Sequence, residues 1–318
     1  MNLLITGGAG FIGSNFVKRQ ISMNSLNASK IIVLDKLTYA GNLKNFSNDE
    51  LNQFEFIQGD ITDSFLVQKI LSKVEVLVNF AAESHVDRSI SNASEFVITN
   101  ILGTQVLLEN SVHAGVKKFV QVSTDEVYGS IDEGSWSEDF PLQPNSPYSA
   151  SKASADLLVR AYNRTFGLNT SITRCSNNYG AYQYPEKVIP LFITNLIQGK
   201  NIPIYGKGLN VRDWLHVTDH CRGIEAVIRE GRAGEIYNIG GGSELTNLQL
   251  ADKILSLFGE DNSKINFVDD RPGHDMRYSV DFKKITSELG YQPEIEFETG
   301  LEETVKFYKE QVEWWSTL

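Results

Sequence analysis

From residue 3 to about residue 175, short apolar runs alternate with longer stretches whose apolar positions recur every three to four residues. Runs of strand length lie at 3–5, 30–34, 54–61, 74–80, 118–123 and 169–175. A continuous apolar run bounded by turn residues reads as a strand buried on both faces. Between the runs, helical spacing starts at Ser14-Asn15-Phe16-Val17, fills 96–114 and continues over 149–166. In the last of these, Leu157, Leu158, Ala161 and Tyr162 are the expected buried face. Such strand–helix alternation predicts an α/β fold with a doubly wound parallel Rossmann sheet. Beyond residue 176 the alternation breaks down. Residues 183–199 read as a loop and a helix, 202–206 and 236–240 as strands, and 249–258 as a helix capped near Thr246. A polar loop at 271–275 precedes an amphipathic helix at 301–314. The expected division is a Rossmann domain over 1–175 and a smaller C-terminal domain over 176–318. The two are interleaved, because 211–240 again reads as strand–helix–strand and returns to the first.

The first strand runs into Thr6-Gly7-Gly8-Ala9-Gly10-Phe11-Ile12-Gly13 and then a helix. That is the context a dinucleotide-binding glycine turn requires. The glycines fit either GxxGxxG (Gly7, Gly10, Gly13) or GxGxxG (Gly8, Gly10, Gly13). Both readings place free N–H groups and a helix dipole where a pyrophosphate can sit. The second strand ends in Asp35, about 20 residues beyond Gly13, where a carboxylate bonds a ribose hydroxyl and repels a 2′-phosphate. NAD is therefore expected rather than NADP, with Lys36 next door pulling the other way. A turn at Gly59-Asp60 can hold the adenine edge, and Ala81-Ala82 lets backbone approach the cofactor. Residues 83–89 form a polar loop in which His85 is expected to be structural.

The apolar strand at 118–123 ends in Thr124-Asp125-Glu126, and Pro147-Tyr148-Ser149-Ala150-Ser151-Lys152 follows about twenty residues later. Pro147 suits a helix's first turn, where its missing N–H costs nothing. Tyr148 and Lys152 then share one helix face at i and i+4, and an ammonium beside a phenol lowers the phenol's pKa. Paired carboxyls push their pKa values apart, which lets one act as acid and the other as base.

Composition narrows the classes. The 318 residues are 41% hydrophobic and 22% charged, which is ordinary globular usage with length for two domains. With 29 basic against 40 acidic residues and no basic stripe, nucleic acid is not an expected partner. Two cysteines are too few for a disulfide framework and fit reduced thiols in a cytoplasmic protein. The five histidines and two cysteines show no metal-ligand spacing, so no metal is expected. The best membrane candidate, 188–197, is too short and contains Pro190 and Asn195. The chain starts directly in a strand, with no signal peptide indicated. The two helices at 96–114 and 149–166 would flank neighbouring strands on one side. If their outer faces are apolar they can build a dimer interface, and a homodimer is the expected state.

Taken together, TGGAGFIGSNF at 6–16, LDKLTYAGN at 34–42, AAESHVDRS at 81–89, STDEVYG at 123–129, PYSASK at 147–152, RCSNNYG at 174–180, NVRDWLHVTDH at 210–220 and RPGHD at 271–275 resemble the extended short-chain dehydrogenase/reductase superfamily. Within it they resemble the dTDP-glucose 4,6-dehydratase family. Asp125-Glu126 discriminates, because related sugar-nucleotide epimerases usually carry small or neutral residues there. One departure is Ala181, where the family commonly has proline; no chemical group is lost. The resemblance implies NAD bound by Gly7, Gly10, Phe11, Ile12, Gly13, Asp35, Lys36, Thr38, Asp60, Ile61, Ala81, Ala82, Tyr148 and Lys152. It makes Tyr148 the acceptor of a sugar hydroxyl proton, with Thr124 bonded to that oxygen and Lys152 polarising the phenol. Glu126 becomes the base at C5 and Asp125 the acid at C6. Ser84, Asn177, Glu186 and Lys187 would line the sugar and base pocket, and Pro203 and Tyr205 would lie against the nucleobase. Arg212 and Arg271 would clamp the diphosphate beside Asn247 and His274. Alternatives are a UDP- or CDP-sugar 4,6-dehydratase, a 4-epimerase on the same scaffold, and a catalytically silent NAD-sensing protein.

Overall fold

The computed structural model describes residues 1–318. The first half follows the Rossmann winding: β1 (Asn2–Thr6), α1 (Phe11–Met23), β2 (Lys30–Asp35), the short α2 (Asn48–Leu51), β3 (Glu55–Gln58), α3 (Ser64–Leu71) and β4 (Val76–Asn79). Two short helices, α4 (Val86–Ser91) and α5 (Ser94–Phe96), precede a π-helical stretch, Val97–Gly103, that runs into α6 (Thr104–Ala114). Next come β5 (Lys118–Thr124), a 3-10 turn at Asp125–Tyr128, α7 (Pro147–Phe166), β6 (Thr170–Cys175) and β7 (Asn177–Tyr179). The remainder is α8 (Val188–Ile197), β8 (Ile202–Tyr205), β9 (Val211–His216), α9 (Val217–Glu230), β10 (Ile236–Ile239), β11 (Glu244–Thr246), α10 (Asn247–Phe258) and β12 (Ile265–Val268). It closes with α11 (Lys283–Leu289), α12 (Phe297–Glu310) and α13 (Val312–Trp315).

Seven parallel strands form one sheet in the order β10-β6-β5-β4-β1-β2-β3. The strand order reverses between β1 and β4, and ligands bind outside the strands' carboxyl ends at such a point. Apolar side chains cover both faces. α1 and α9 pack on one through Phe16, Val17, Ile224 and Val227. On the other, α3, α6 and α7 pack through Val67, Leu107 and Val159. The C-terminal core is separate and rich in aromatics, with Tyr179, Phe192, Trp214, Phe297, Tyr308 and Trp314 between α8, α10 and α12. No helix is long and apolar enough to cross a membrane.

Three elements differ from expectation. Residues 211–216 do not rejoin the large sheet: β9 pairs with β7 and β11 in a three-stranded sheet, and only α9 and β10 return. β7 leaves the large sheet one residue after β6 ends, and β9 follows it. The polar loop expected at 83–89 winds into α4, whose N-terminus His85 caps by accepting from Arg88 N through Nδ1. On α7, Leu157 is 53% exposed and Ala161 is also exposed. The buried face is instead Tyr148, Ser151, Lys152, Ala155, Asp156 and Val159. Small and polar residues are buried there because this face carries the site and its supports, which hydrophobic periodicity does not register.

Candidate active site

A cavity of about 300 Å³ opens along the carboxyl ends of the large sheet. Gly7, Gly10, Phe11, Ile12 and Gly13 form its floor, and Gly8 is not in the wall. This selects the GxxGxxG reading. A Cβ on Gly8 would meet Val33, 2.7 Å away, so that glycine serves packing. Gly7 has φ +66°, and a Cβ there would lie 2.5 Å from Ala81 N. One on Gly13 would lie 2.3 Å from Gly7 O. The backbone is thus drawn in around a space that side chains would fill. α1 carries no side-chain cap and no acidic residue in its first turn. Its N–H groups suit a pyrophosphate. Asp35, at the end of β2, accepts from Ala9 N at 2.9 Å and Leu37 N at 2.8 Å, and burial raises its pKa. Lys36 is paired with Asp60 at 2.8 Å, so its charge is already matched and does not offer a free site for a 2′-phosphate. Thr38, Asp60, Ile61, Ala81 and Ala82 complete this end of the wall. These residues fit NAD.

Further along the cavity stand Thr124, Asp125, Glu126, Tyr148 and Lys152. β5 delivers the first and the 3-10 turn the next two. α7 delivers the last two, started sharply by Pro147 and by a reciprocal box in which Ser146 and Ser149 each accept from the other's N–H. Asp125 is 2% exposed, and its Oδ2 has no hydrogen-bond partner. Burial, then Glu126 and Asp213, push its carboxyl well above the usual range. Glu126 is also raised by burial, but Arg271, Arg212 and Lys187 pull it back toward the charged form. The two neighbouring carboxyls therefore sit in unequal fields.

The phenol departs from expectation. Burial raises Tyr148 well above its ordinary value, and Glu126, Cys175 and Asp125 add to the rise. Thr124, whose hydroxyl donates to Asp125 Oδ1 at 3.2 Å, opposes the rise. Lys152 does not dominate this balance, because its ammonium hangs from Val122 O at 2.7 Å and its own pKa is lowered by burial. The protein alone holds Tyr148 protonated, and the downward shift inferred from the i,i+4 spacing is not realised by Lys152 alone.

Of the expected substrate residues, Ser84, Asn177, Glu186 and Lys187 line the cavity. Lys187 Nζ donates to Ser84 O at 2.9 Å, and Asn177 Oδ1 is buried without a partner. Glu186 accepts from Tyr39 OH at 2.9 Å and faces Arg88 at 3.4 Å. Pro203, Tyr205, Arg212, Asn247, Arg271 and His274 lie outside the cavity wall. Arg212 is buried, donating to Val211 O and Asp275 O with its guanidinium 4.2 Å from the Tyr278 ring centroid. Arg271 reaches Asp87 at 3.5 Å, and Tyr205 OH donates to the other oxygen of that carboxylate. His274 pairs with Asp270 at 2.6 Å and meets Tyr205 edge-on, while Asn247 opens α10. Pro203 lies in β8 opposite Asn266 of β12. Sequence reasoning missed Thr99, Asn178 and Tyr184, which also line the cavity. Thr99 comes from the π-helical stretch, and nothing in the local pattern marks it.

The family model described as GDP-mannose 4,6 dehydratase matches residues 4–304. A dTDP-glucose 4,6-dehydratase of Streptomyces niveus is 52% identical over 321 residues, covering 100% of this chain and 96% of the relative. The crystal structure of dTDP-glucose 4,6-dehydratase from Streptomyces venezuelae, with NAD and TYD bound, matches with a TM-score of 0.98 at 56% identity. That match covers 100% of this chain and 99% of the other. A UDP-glucose 4-epimerase from Thermotoga maritima, solved with UDP-glucose, shares the fold at a TM-score of 0.91 but only 31% identity, over 98% of this chain and 100% of that one. With more than half its positions in common with such dehydratases along its whole length, the chain belongs to the NAD-dependent dTDP-glucose 4,6-dehydratase family.

Proposed function

We propose that this chain dehydrates dTDP-glucose to dTDP-4-keto-6-deoxyglucose with four side chains in separate roles. Tyr148 takes the proton of the C4 hydroxyl, and Thr124, which lines the cavity with it, holds the same oxygen. Bound NAD supplies the hydride acceptor for C4 and the hydride donor for C6, and the oxidised ring's positive charge favours phenolate beside it. The C4 ketone acidifies the C5 proton, which Glu126 removes. Asp125 protonates the C6 hydroxyl, so that it leaves as water. Arg212, Arg271 and Lys187 keep Glu126 nearer its charged form, and the burial of Asp125 keeps it neutral, which is the division that elimination needs.

The observation that carries this reading is Asp125 Oδ2, buried and unpartnered beside Glu126 and a Tyr–Lys helix. Burying an unsatisfied acid is costly, and a 4-epimerase, which leaves the C6 hydroxyl in place, has no use for one. Incubation with dTDP-, UDP-, CDP- and GDP-glucose, followed by mass spectrometry, tests it. We expect loss of one water, fastest with dTDP-glucose. Unchanged mass with a new stereoisomer would establish an epimerase, and no change in any sugar nucleotide would establish a sensor.

A homodimer is supported by exposed apolar side chains on the π-helical stretch and α7: Val97, Ile98, Leu102, Leu157 and Phe166. The buried, unpaired thiols of Cys175 and Cys221 fit a reducing, cytoplasmic setting.

A further inference from the structure

Beneath the site, and outside its wall, lies a line of buried polar side chains that the reaction does not touch. Asp156 is on α7, one turn beyond Lys152 and two beyond Tyr148, on the same face. Its Oδ2 accepts from Arg174 Nε at 2.9 Å. Arg174, on β6, is 1% exposed and is among the largest fully buried side chains in the protein. Its Nη1 donates to Tyr128 OH at 2.8 Å, and that hydroxyl donates to Asn238 Oδ1 at 2.9 Å. Tyr128 is the last residue of the 3-10 turn that begins with Asp125 and Glu126, and its ring stacks on Trp136. The line therefore runs from the helix bearing the phenol and ammonium, through the strand beside β5, to the turn bearing both carboxyls.

A buried ion pair adds little net stability, because desolvation offsets most of the attraction. What it does supply is a fixed distance. The protein spends the burial of a guanidinium at the one place where two halves of a reaction must be held in register. We infer that Asp156, Arg174 and Tyr128 are positioning residues that set the carboxyl turn against α7, and so govern elimination rather than oxidation. This rests on the assignment of Asp125 and Glu126 to elimination. Oxidation needs only α7, Thr124 and the cofactor, whereas elimination also needs the turn to lie in place over C5 and C6. Misplacing a catalytic group by about 1 Å can cost on the order of 100-fold in rate.

Tyr128→Phe deletes one oxygen and keeps the ring stacked on Trp136. With dTDP-glucose, bound NADH should form at close to the wild-type rate while product formation falls roughly 10- to 100-fold. The steady-state fraction of bound NADH rises accordingly. Asp156→Asn keeps its volume and cuts the other end of the line, and it should shift the same partition. The double variant should be no slower than the more severe single, because both break one line. Asp125→Asn is run beside them. If it accumulates NADH and neither line variant does, the positioning role is wrong and the carboxyl assignment stands. If it fails to accumulate NADH, the carboxyl assignment fails and the inference with it. Oxidation and product formation falling in equal proportion, or neither variant folding, would make the line a stability element and overturn the inference.

Discussion

Asp125 and Glu126 are neighbours in sequence, yet their surroundings differ in sign. Asp125 feels Glu126 and Asp213 ahead of Arg212, with one oxygen unbonded, whereas Glu126 feels Arg271, Arg212 and Lys187 ahead of Asp275. A base works above its pKa and an acid below its own, so dehydration should fall off on both sides of an optimum. The acid limb belongs to Glu126, whose pKa burial raises from 4.5. Arg271 is the largest influence opposing that rise, so Arg271→Ala should move the acid limb of kcat to higher pH at saturating substrate. A limb that stays in place would remove Arg271 from the field on Glu126. Stability carries a matching sign. A carboxyl whose folded pKa lies above its unfolded value favours folding below the unfolded value, and that contribution is lost as pH rises through the folded one. At about pH 8 a buried Asp125 therefore opposes folding, and Asp125→Asn should raise the melting temperature there but leave it nearly unchanged at about pH 4. A fall at both pH values would mean that the aspartate is structural.

The glycine turn and α1 act as one element. A methyl at residue 13 would press on Gly7 O at 2.3 Å, so Gly13→Ala must open the turn or lift the helix. Purified wild-type protein should carry nicotinamide cofactor, and Gly13→Ala should lose it while keeping its far-ultraviolet circular dichroism. Retained cofactor would show that the pyrophosphate does not sit on this turn. Such local signals were legible in the chain itself. Gly7, Gly10, Gly13, Asp35 and the Tyr148–Lys152 spacing are all encoded within a few residues of where they act. Less legible was anything decided by a distant partner. The buried face of α7 is polar because Arg174 reaches Asp156 from another strand, eighteen positions along the chain, which apolar periodicity cannot reveal. Thr99 enters the cavity from a stretch wound as a π-helix, and no residue there announces that winding. The i,i+4 geometry of Tyr148 and Lys152 was readable, but the carbonyl that takes the ammonium's hydrogen bond, Val122 O, was not.

At the scale of the whole molecule, the C-terminal part supplies Asn177, Glu186 and Lys187 to a cavity otherwise walled by the Rossmann sheet. Ser84 and Lys187 join the two sides directly. Arg212, Asn247, Arg271 and His274 were legible as a family pattern, but they lie outside the cavity wall, and Arg212, Arg271 and His274 bond to Asp275, Asp87 and Asp270 of this chain. Ile98, Leu102 and Leu157 are exposed apolar side chains outside the cavity wall. If they join two copies, Leu102→Glu with Leu157→Glu should give a monomer by sedimentation velocity, and wild type a dimer. A wild-type monomer would show that they are simply exposed.

Oxidation at C4 and loss of water from C5 and C6 are assigned here to different side chains, so one experiment can separate them. Asp125→Asn and Glu126→Gln leave Tyr148, Lys152 and Thr124 untouched. Mixed with dTDP-glucose in deuterated solvent, both variants should form enzyme-bound NADH while releasing little 4-keto-6-deoxy product. C5 exchange with solvent should persist in Asp125→Asn, where Glu126 still removes the proton, and should fall sharply in Glu126→Gln. Dehydration by both variants at the wild-type rate, with no bound NADH, would contradict the account.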